Sequence, residues 1–306
     1  MFPNFLCIGA QRSGTTWLHM NLKEHPEVWM PPLKEIQYFD EKEMFDSLPL
    51  VELFAYKHLR YTKRWKRVFN SLSKKLKKSS QLLDLETLRW YIRYLFGFRS
   101  DRWYASLFEM GAGKKIGDIT PGYGPLSKES VAHIHTLMPD VKIIFLMRNP
   151  IQRAWSHFLK EIRDKKRPLE SVSEREFINH FNSDKSRAKS NYSQIIETWN
   201  SYYSDEQLFT AFFEEISNCP ENLLFRIFNF IEVEASSKYI SVKKSSKKYN
   251  ASSNTGIIPG NFTVPDNFAK YLARAYYDEI EQLHRNFGGY ASSWLEDADR
   301  LLELVN

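Results

Sequence analysis

A chain of 306 residues with 42% apolar and 15% aromatic residues has enough material for one large α/β domain with its own core. Lys and Arg exceed Asp and Glu by 43 to 37, a net charge of +6 that suits anionic ligands and is too small to point to nucleic acid. No apolar run approaches the roughly 18 residues of a membrane span, the first strand begins almost at Met1 and leaves no room for a signal peptide, and Cys7 and Cys219 do not make a disulfide framework; the expectation is a soluble, cytoplasmic protein.

Residues 4–18 read Asn-Phe-Leu-Cys-Ile-Gly-Ala-Gln-Arg-Ser-Gly-Thr-Thr-Trp-Leu. Phe5 to Ile8 suits a short buried strand, Gly9 and Gly14 bracket a tight loop, and Thr15-Thr16-Trp17-Leu18 open a helix. Such a unit cradles anions, because backbone N–H groups point inward and the helix start adds partial positive charge. The Gly-x4-Gly spacing matches a P-loop, yet the nucleotide-triphosphatase form needs a lysine directly after the second glycine. Thr15 holds that slot, and the cation, Arg12, sits inside the loop. A phosphate-type role is favoured over a plain structural turn.

The helix ends at His25-Pro26, and Val28 to Met30 reads as a short strand. Residues 50–110 change texture, with helical periodicity and many aromatics; between Lys57 and Lys78 there are ten Lys or Arg residues and no acid. This stretch is expected to be a helical insertion or cap over the sheet. Its charges read either as a solvated helix face or as an attractor for an acidic acceptor or a membrane surface. Trp65, Trp90, Tyr91, Tyr94, Trp103 and Tyr104 are either core or the lining of an acceptor pocket.

Strand character returns at Ile116 to Thr120, a turn follows at Pro121-Gly122, and Ser127 to Met138 reads as a helix. Ile143 to Met147 is continuously apolar, as a central parallel strand covered on both faces requires. Arg148 stands at its carboxyl end, Asn149-Pro150 turns the chain, and Ile151 to Lys165 continues as a helix with Ser156 about two turns in. Ligands of open α/β sheets bind at the carboxyl ends of strands. There a guanidinium offers a planar fork for phosphate and a serine adds a hydroxyl. The blander alternative is that Arg148 caps the strand and Ser156 is an ordinary helix serine. A polar segment spans 165–190. A helix over Tyr192 to Tyr203, a strand over Leu208 to Phe213, a helix over Glu221 to Glu232, a lysine-rich loop from Lys243 to Ser253 and a long amphipathic helix from Asp266 to Phe287 complete the chain. Strands alternating with helices indicate βαβ units and a mainly parallel sheet. No His, Cys and Asp cluster shows metal-ligand spacing, so no metal is expected.

Together these motifs resemble the sulfotransferases, whose 5′-phosphosulfate loop usually reads Lys-(Ser/Thr/Gly)-Gly-Thr-Thr; Arg12 replaces the usual lysine. Their 3′-phosphate element carries Arg and Ser eight residues apart, as Arg148 and Ser156 are. Pro31-Pro32-Leu33-Lys34-Glu35-Ile36-Gln37-Tyr38-Phe39 is similar to the Lys-Glu-x-x-(Phe/Tyr)-Phe motif of the bacterial and glycan branch. The resemblance implies a three-layer, P-loop-like α/β fold over residues 1–306 as a single domain, with a mainly parallel central sheet flanked by helices and the helical insertion at about 50–110. It implies 3′-phosphoadenylyl sulfate (PAPS) as donor, adenosine 3′,5′-bisphosphate (PAP) as product, and no metal. In that reading the sulfuryl group passes in line to an acceptor hydroxyl or amine, with Glu35 as the base that takes its proton. Arg12 clamps the charge that builds on the leaving 5′-phosphate. The donor contacts implied are Arg12, Ser13, Gly14, Thr15, Thr16, Trp17, Arg148, Ser156, Tyr192 (seven residues before Trp199) and, in a late closing loop, Lys248. Asp118-Ile119-Thr120-Pro121 sits where the glycan branch often has Glu-Lys-Ser-Pro; the lysine is absent, which weakens the case for a glycan. The acceptor stays open among carbohydrates, lipids, small metabolites and a peptide tyrosine. Three other readings stand beside this one: an ion pair of Glu35 with Lys34 or Arg12, a P-loop kinase using ATP and Mg²⁺, and a non-enzymatic anion- or nucleic-acid-binding protein.

Overall fold

The computed structural model describes residues 1–47, 61–73, 84–240 and 264–303. Within them β1 (Phe5–Gly9), β2 (Val28–Trp29), β3 (Lys115–Ile119), β4 (Lys142–Met147) and β5 (Leu208–Phe212) form one sheet in the order β2-β3-β1-β4-β5. Every pairing is parallel, with Leu6 opposite Asp118 on one side and Ile143 on the other. The side chains of β1 and β4 sort by their period of two. Leu6, Ile8, Ile143, Phe145 and Met147 belong to one buried cluster, whereas Phe5, Cys7, Ile144 and Leu146 belong to another. Continuous apolar runs in the sequence thus become strands buried on both faces.

Helices supply the cover. α1 (Thr15–Leu22) and, later, α12 (Pro220–Phe230) pack on the second face through Trp17, Leu18, Leu22, Leu223 and Ile227. Between them run α2 (Phe39–Ser47), α3 (residues 61–73), α4 (Leu85–Phe96), α5 (Asp101–Ser106), α6 (Lys128–Leu137), α7 (Pro150–Asp164), α8 (Glu174–Asn182), α9 (Asp184–Ala188), α10 (Tyr192–Asn200) and α11 (Glu215–Asn218). α13 (Asp266–Phe287) and α14 (Tyr290–Glu303) close the chain. The first face is covered by α6, α7, α10, α13 and α14, through residues such as Ile134, Trp155, Trp199, Leu283 and Trp294. Local chemistry starts many of these helices: the side chains of Asp84, Ser100, Ser127, Asn149, Ser173 and Asn191 each accept from a backbone N–H of the first turn. Pro150 adds its preset φ at the first position of α7.

Strand and helix limits lie within two or three residues of the sequence expectation. α2, α11 and α14 were not anticipated, and the polar segment 165–190, expected as an exposed loop with one short helix, holds two, α8 and α9. The basic, aromatic-rich stretch is helical where it is described, and Trp90, Tyr91, Tyr94, Trp103 and Tyr104 are all buried, which decides for core over pocket lining. Trp90 stacks on Tyr94 at 5.3 Å, and Tyr104 stacks on Tyr38 at 5.2 Å, so the insertion grips the segment that carries Glu35. Trp65 stands outside that core. Among the described residues no helix is long and apolar enough to cross a membrane. Residues 50–60 and 74–83 of the basic stretch, and the loop 243–253 with Lys248, lie outside the described residues.

Candidate active site

The loop from β1 to α1 lies at the carboxyl edge of the sheet, where β1 separates β3 from β4. Arg12 and Gly14 take left-handed backbone at φ 73° and 87°. At Gly14 the requirement is steric as well, since a Cβ there would lie 2.2 Å from Ile216 Cδ1. The Ala10 amide donates to the Leu146 carbonyl at 2.7 Å, tying the loop to β4. No side chain caps α1, so its first amides are available to an anion. Ser13 is wholly buried and Thr15 nearly so, whereas the Trp17 ring packs into the core rather than lining the cradle.

The predicted 3′-phosphate element meets this loop directly. Arg12 Nε donates to Ser156 Oγ at 3.0 Å, and Arg148 Nη1 donates to the Arg12 carbonyl at 3.2 Å. The Tyr192 hydroxyl donates to the Arg148 carbonyl at 2.9 Å, and the Arg148 guanidinium lies 4.5 Å from the Phe213 ring centre. Burial, with Arg12 alongside, pulls Arg148 down to about 10; burial and Arg163 lower Arg12 as well. A third guanidinium, unanticipated from sequence, lies beneath them. Arg153 is wholly buried; its Nε donates to Ser190 Oγ at 2.7 Å, while Nη1 and Nη2 have no hydrogen-bond partner among the described residues. Neither Arg12, Arg148 nor Arg153 forms an ion pair among those residues. Glu214 acts on Arg148 and Asp164 on Arg12 only from beyond ion-pair distance, and buried cations so weakly compensated are costly. Arg12 and Arg148 thus meet in the loop before an uncapped helix start, an arrangement that concentrates positive charge there. The signal for Arg153 was its place three residues before Ser156, on the same face of α7.

On the other side of the α1 start lies the Lys34-Glu35 segment. Lys34 Nζ donates to Thr15 Oγ1 at 3.0 Å, to Thr16 Oγ1 at 3.3 Å and to Glu35 Oε1 at 3.3 Å. The ion pair left open by the sequence is therefore made with Lys34, while Arg12 turns toward Ser156. Glu35 keeps its side chain 38% exposed, and its amide donates to the Ile119 carbonyl at 3.2 Å. Glu35 and Gln37 both have left-handed backbone, φ 65° and 57°. Arg67 of α3 holds this bend, its Nη2 donating to the carbonyls of Lys34 and Glu35. The sequence named Lys34 only in the Lys-Glu motif and as a possible ion-pair partner of Glu35, and Arg67 was not singled out, because the reach of Lys34 to Thr15 and Thr16 and of Arg67 to the bend is tertiary.

Asp118 is wholly buried. It accepts from Thr120 Oγ1 at 2.8 Å, Tyr104 OH at 2.9 Å and Tyr123 OH at 3.2 Å, and burial pushes its carboxyl up to about 6. Tyr123 OH in turn accepts from the Tyr38 amide at 3.1 Å. Asp118 thus anchors the segment that carries Glu35.

The structure departs from the sequence reading in one more respect. His157, Glu161 and His180 bring three potential metal-ligating atoms within 4.8 Å of one another, by pairing α7 with α8. Lys189 Nζ lies 3.3 Å from His157 Nε2, and burial, with Lys189 and Arg153, drives His157 down to about 2. That same positive field opposes a divalent cation.

A family model described as the Sulfotransferase family matches residues 3–237. Membrane-associated sulfotransferase kil1 of Dictyostelium discoideum is 26% identical over 173 residues, covering 55% of this chain and 26% of that protein. Carbohydrate sulfotransferase 15 of Rattus norvegicus is 25% identical over 159 residues, covering 51% of this chain and 27% of that one. The chain therefore spans about a quarter of the length of these curated relatives. Among solved structures, the sulfotransferase from Alicyclobacillus acidocaldarius aligns with a TM-score of 0.58 at 18% identity over 96% of this chain and 99% of its own. The sulfotransferase domain from the curacin biosynthetic pathway aligns at 0.52 with 18% identity, over 92% and 98%. Both share the fold.

Proposed function

Because the chain belongs to the sulfotransferase family, we propose that it transfers a sulfuryl group from PAPS to an acceptor hydroxyl, or an amine, by in-line attack. The observation that carries this reading is the meeting of Arg12, Arg148 and Ser156 beside the uncapped start of α1, with no carboxylate in ion-pair contact with either arginine among the described residues. Arg148 and Ser156 are assigned to the 3′-phosphate, with Tyr192 fixing the Arg148 backbone. The amides from Gly14 to Thr16 are assigned to the 5′-phosphosulfate, while the Ser13 amide closes the loop on the Ala10 carbonyl at 3.2 Å.

Glu35 is assigned as the base. Its carboxylate accepts the acceptor's proton as oxygen approaches sulfur. Lys34, bonded to Thr15, Thr16 and Glu35, places a cation between the base and the helix start. Arg12 supplies charge along the phosphate loop and, as a guanidinium, donates no proton at neutral pH. The acceptor is sought among small molecules, carbohydrates and lipids rather than nucleic acids.

Thermal shift of the full chain with PAP, with ATP and Mg²⁺, and with a single-stranded oligonucleotide tests the proposal. A ligand present at about 100 times its Kd stabilises by about 2.7 kcal/mol. PAP is expected to give the largest shift. A larger shift with ATP and Mg²⁺ would favour the kinase reading. A dominant oligonucleotide shift that falls steeply with salt would favour a nucleic-acid binder.

A further inference from the structure

We propose that the outer faces of α3 and α4 dock on an anionic lipid surface. The two faces of α3 differ. Inward, Val68 is buried, Arg64 pairs with Glu41, and Arg67 holds the carbonyls of Lys34 and Glu35. Outward, Tyr61, Trp65 and Phe69 recur every fourth residue, one stripe along a helix, and Phe69 is 70% exposed. α4 repeats the pattern: Trp90, Tyr91 and Tyr94 face the core, while Ile92 and Phe96 face outward, Phe96 at 62% exposure. Phe98, just past its end, is 89% exposed. Trp65 and Phe96 meet edge to face with ring centres 5.6 Å apart, and Tyr61 meets Trp65 at 6.0 Å, so the stripes join. Single exposed apolar residues are ordinary; a joined aromatic patch marks an interaction surface.

Charge selects the occupant. Lys63 and Lys66 are exposed on α3 between the aromatic positions, and no acid occurs from Lys57 to Lys78. A second copy of the chain, joined by a two-fold interface, would set these lysines against their own images. Lys66 borders the aromatic stripe three residues before Phe69, and Lys63 lies one turn before Lys66, so the stripe is flanked by lysines. An exposed aromatic stripe with lysines along its edge suits the boundary between acyl chains and anionic headgroups, where lysine stems lie on apolar surface and their heads stay in water. Docking by this outer face would bring the bilayer within one helix of Glu35, because the inner face of α3 holds the Glu35 backbone.

Co-flotation of the full chain with vesicles of phosphatidylcholine alone, and with about a third phosphatidylglycerol, tests the inference independently of the donor. At low salt the anionic vesicles are expected to carry at least about tenfold more protein. Trp65→Ser/Phe69→Ser/Phe96→Ser should lower that binding about tenfold, and Lys63→Glu/Lys66→Glu should erase the preference between vesicles. Circular dichroism melting of both variants establishes that they fold; the lysine pair, being exposed, keeps the test decisive if the triple variant does not. The inference is overturned if the wild type ignores anionic vesicles or if folded variants bind as the wild type does. It is also overturned if the patch instead drives a concentration-dependent dimer.

Discussion

Replacing Gly14 with alanine strikes the phosphate loop at its tightest point, and the structure sets the size of the effect. A left-handed residue with a Cβ costs about 1–2 kcal/mol, and φ at this site is 87°. The added methyl would also lie 2.2 Å from Ile216 Cδ1 and 3.3 Å from Phe213 Cδ2. The first of these is the end of a side chain that can swing aside, so a typical overpacking cost of about 1–3 kcal/mol applies. The two costs together give a loss of about 2–5 kcal/mol. Urea unfolding of the wild type, Gly14→Ala, Ile216→Ala and the double variant separates them in a double-mutant cycle. Ile216→Ala removes the overlap but not the backbone strain, so the double variant should recover only the steric share. A Gly14→Ala protein within about 0.5 kcal/mol of the wild type, the range of a neutral surface change, would refute the reasoning.

Glu35→Gln should cut turnover by about 10²–10⁴-fold while PAP binding stays nearly unchanged; near-normal turnover, measured as PAP release with water as acceptor, would remove the base assignment. Lys34→Met should lower the same turnover by about 10²-fold, and an unchanged rate would reduce Lys34 to a structural partner of Thr15 and Thr16. Stability should fall in mild acid. Burial, helped by Lys34 and Lys23, pulls His19 down to about 3, and burial, with Lys189 and Arg153, pulls His157 down to about 2. Both take up a proton near the ordinary value of about 6.5 once unfolded, so their stabilisation is complete above that pH and is lost below it. Asp118, raised by burial to about 6, acts in the opposite sense and returns part of the loss. These three groups together give a drop of about 2–3 kcal/mol from pH 7 to pH 5. His180, lowered by burial, adds to it, while Glu214 and Glu279, raised by burial, offset it. A urea profile that rises toward pH 5 would contradict the account.

The central strands were legible because strands covered on both faces must be continuously apolar, as Ile143 to Met147 is. The phosphate loop was legible from glycine spacing, since Gly14 takes a backbone conformation and a packing space that exclude a side chain. Arg148 and Ser156 were legible from their interval, and the structure brings both to Arg12. Composition could not decide between core and pocket for Trp90, Tyr94 and Trp103, because both roles use the same residues; their burial depends on how the insertion folds back on Tyr38. Arg67 and Arg153 were not legible as site residues, and Lys34 was legible only as a motif residue and partner of Glu35, not for its contacts with Thr15 and Thr16. Lys34 acts across the turn onto Thr15 and Thr16, Arg67 reaches back from α3, and Arg153 lies opposite the apolar stripe of α7, where the helical pattern predicts an exposed polar residue, yet it is wholly buried. α2 escaped notice because Phe39–Ser47 is mostly polar and begins inside the Lys-Glu motif. Of the basic stretch read as a solvated face or a surface attractor, the described residues 61–73 form two faces of α3, one holding the Glu35 segment and the other exposing Tyr61, Trp65 and Phe69.

Calorimetric titration of the wild type and Arg148→Ala with PAP and with AMP tests the central claim most directly, because the two ligands differ in the 3′-phosphate alone. The wild type should bind PAP the more tightly. Arg148→Ala should lose about 1.5–3 kcal/mol of PAP binding, the worth of a charge-assisted contact, which is about ten- to a hundredfold in Kd, with AMP binding little changed. Equal losses for the two ligands, or a wild type that does not distinguish them, would contradict the assignment of Arg148 and Ser156 to a 3′-phosphate and with it the choice of donor.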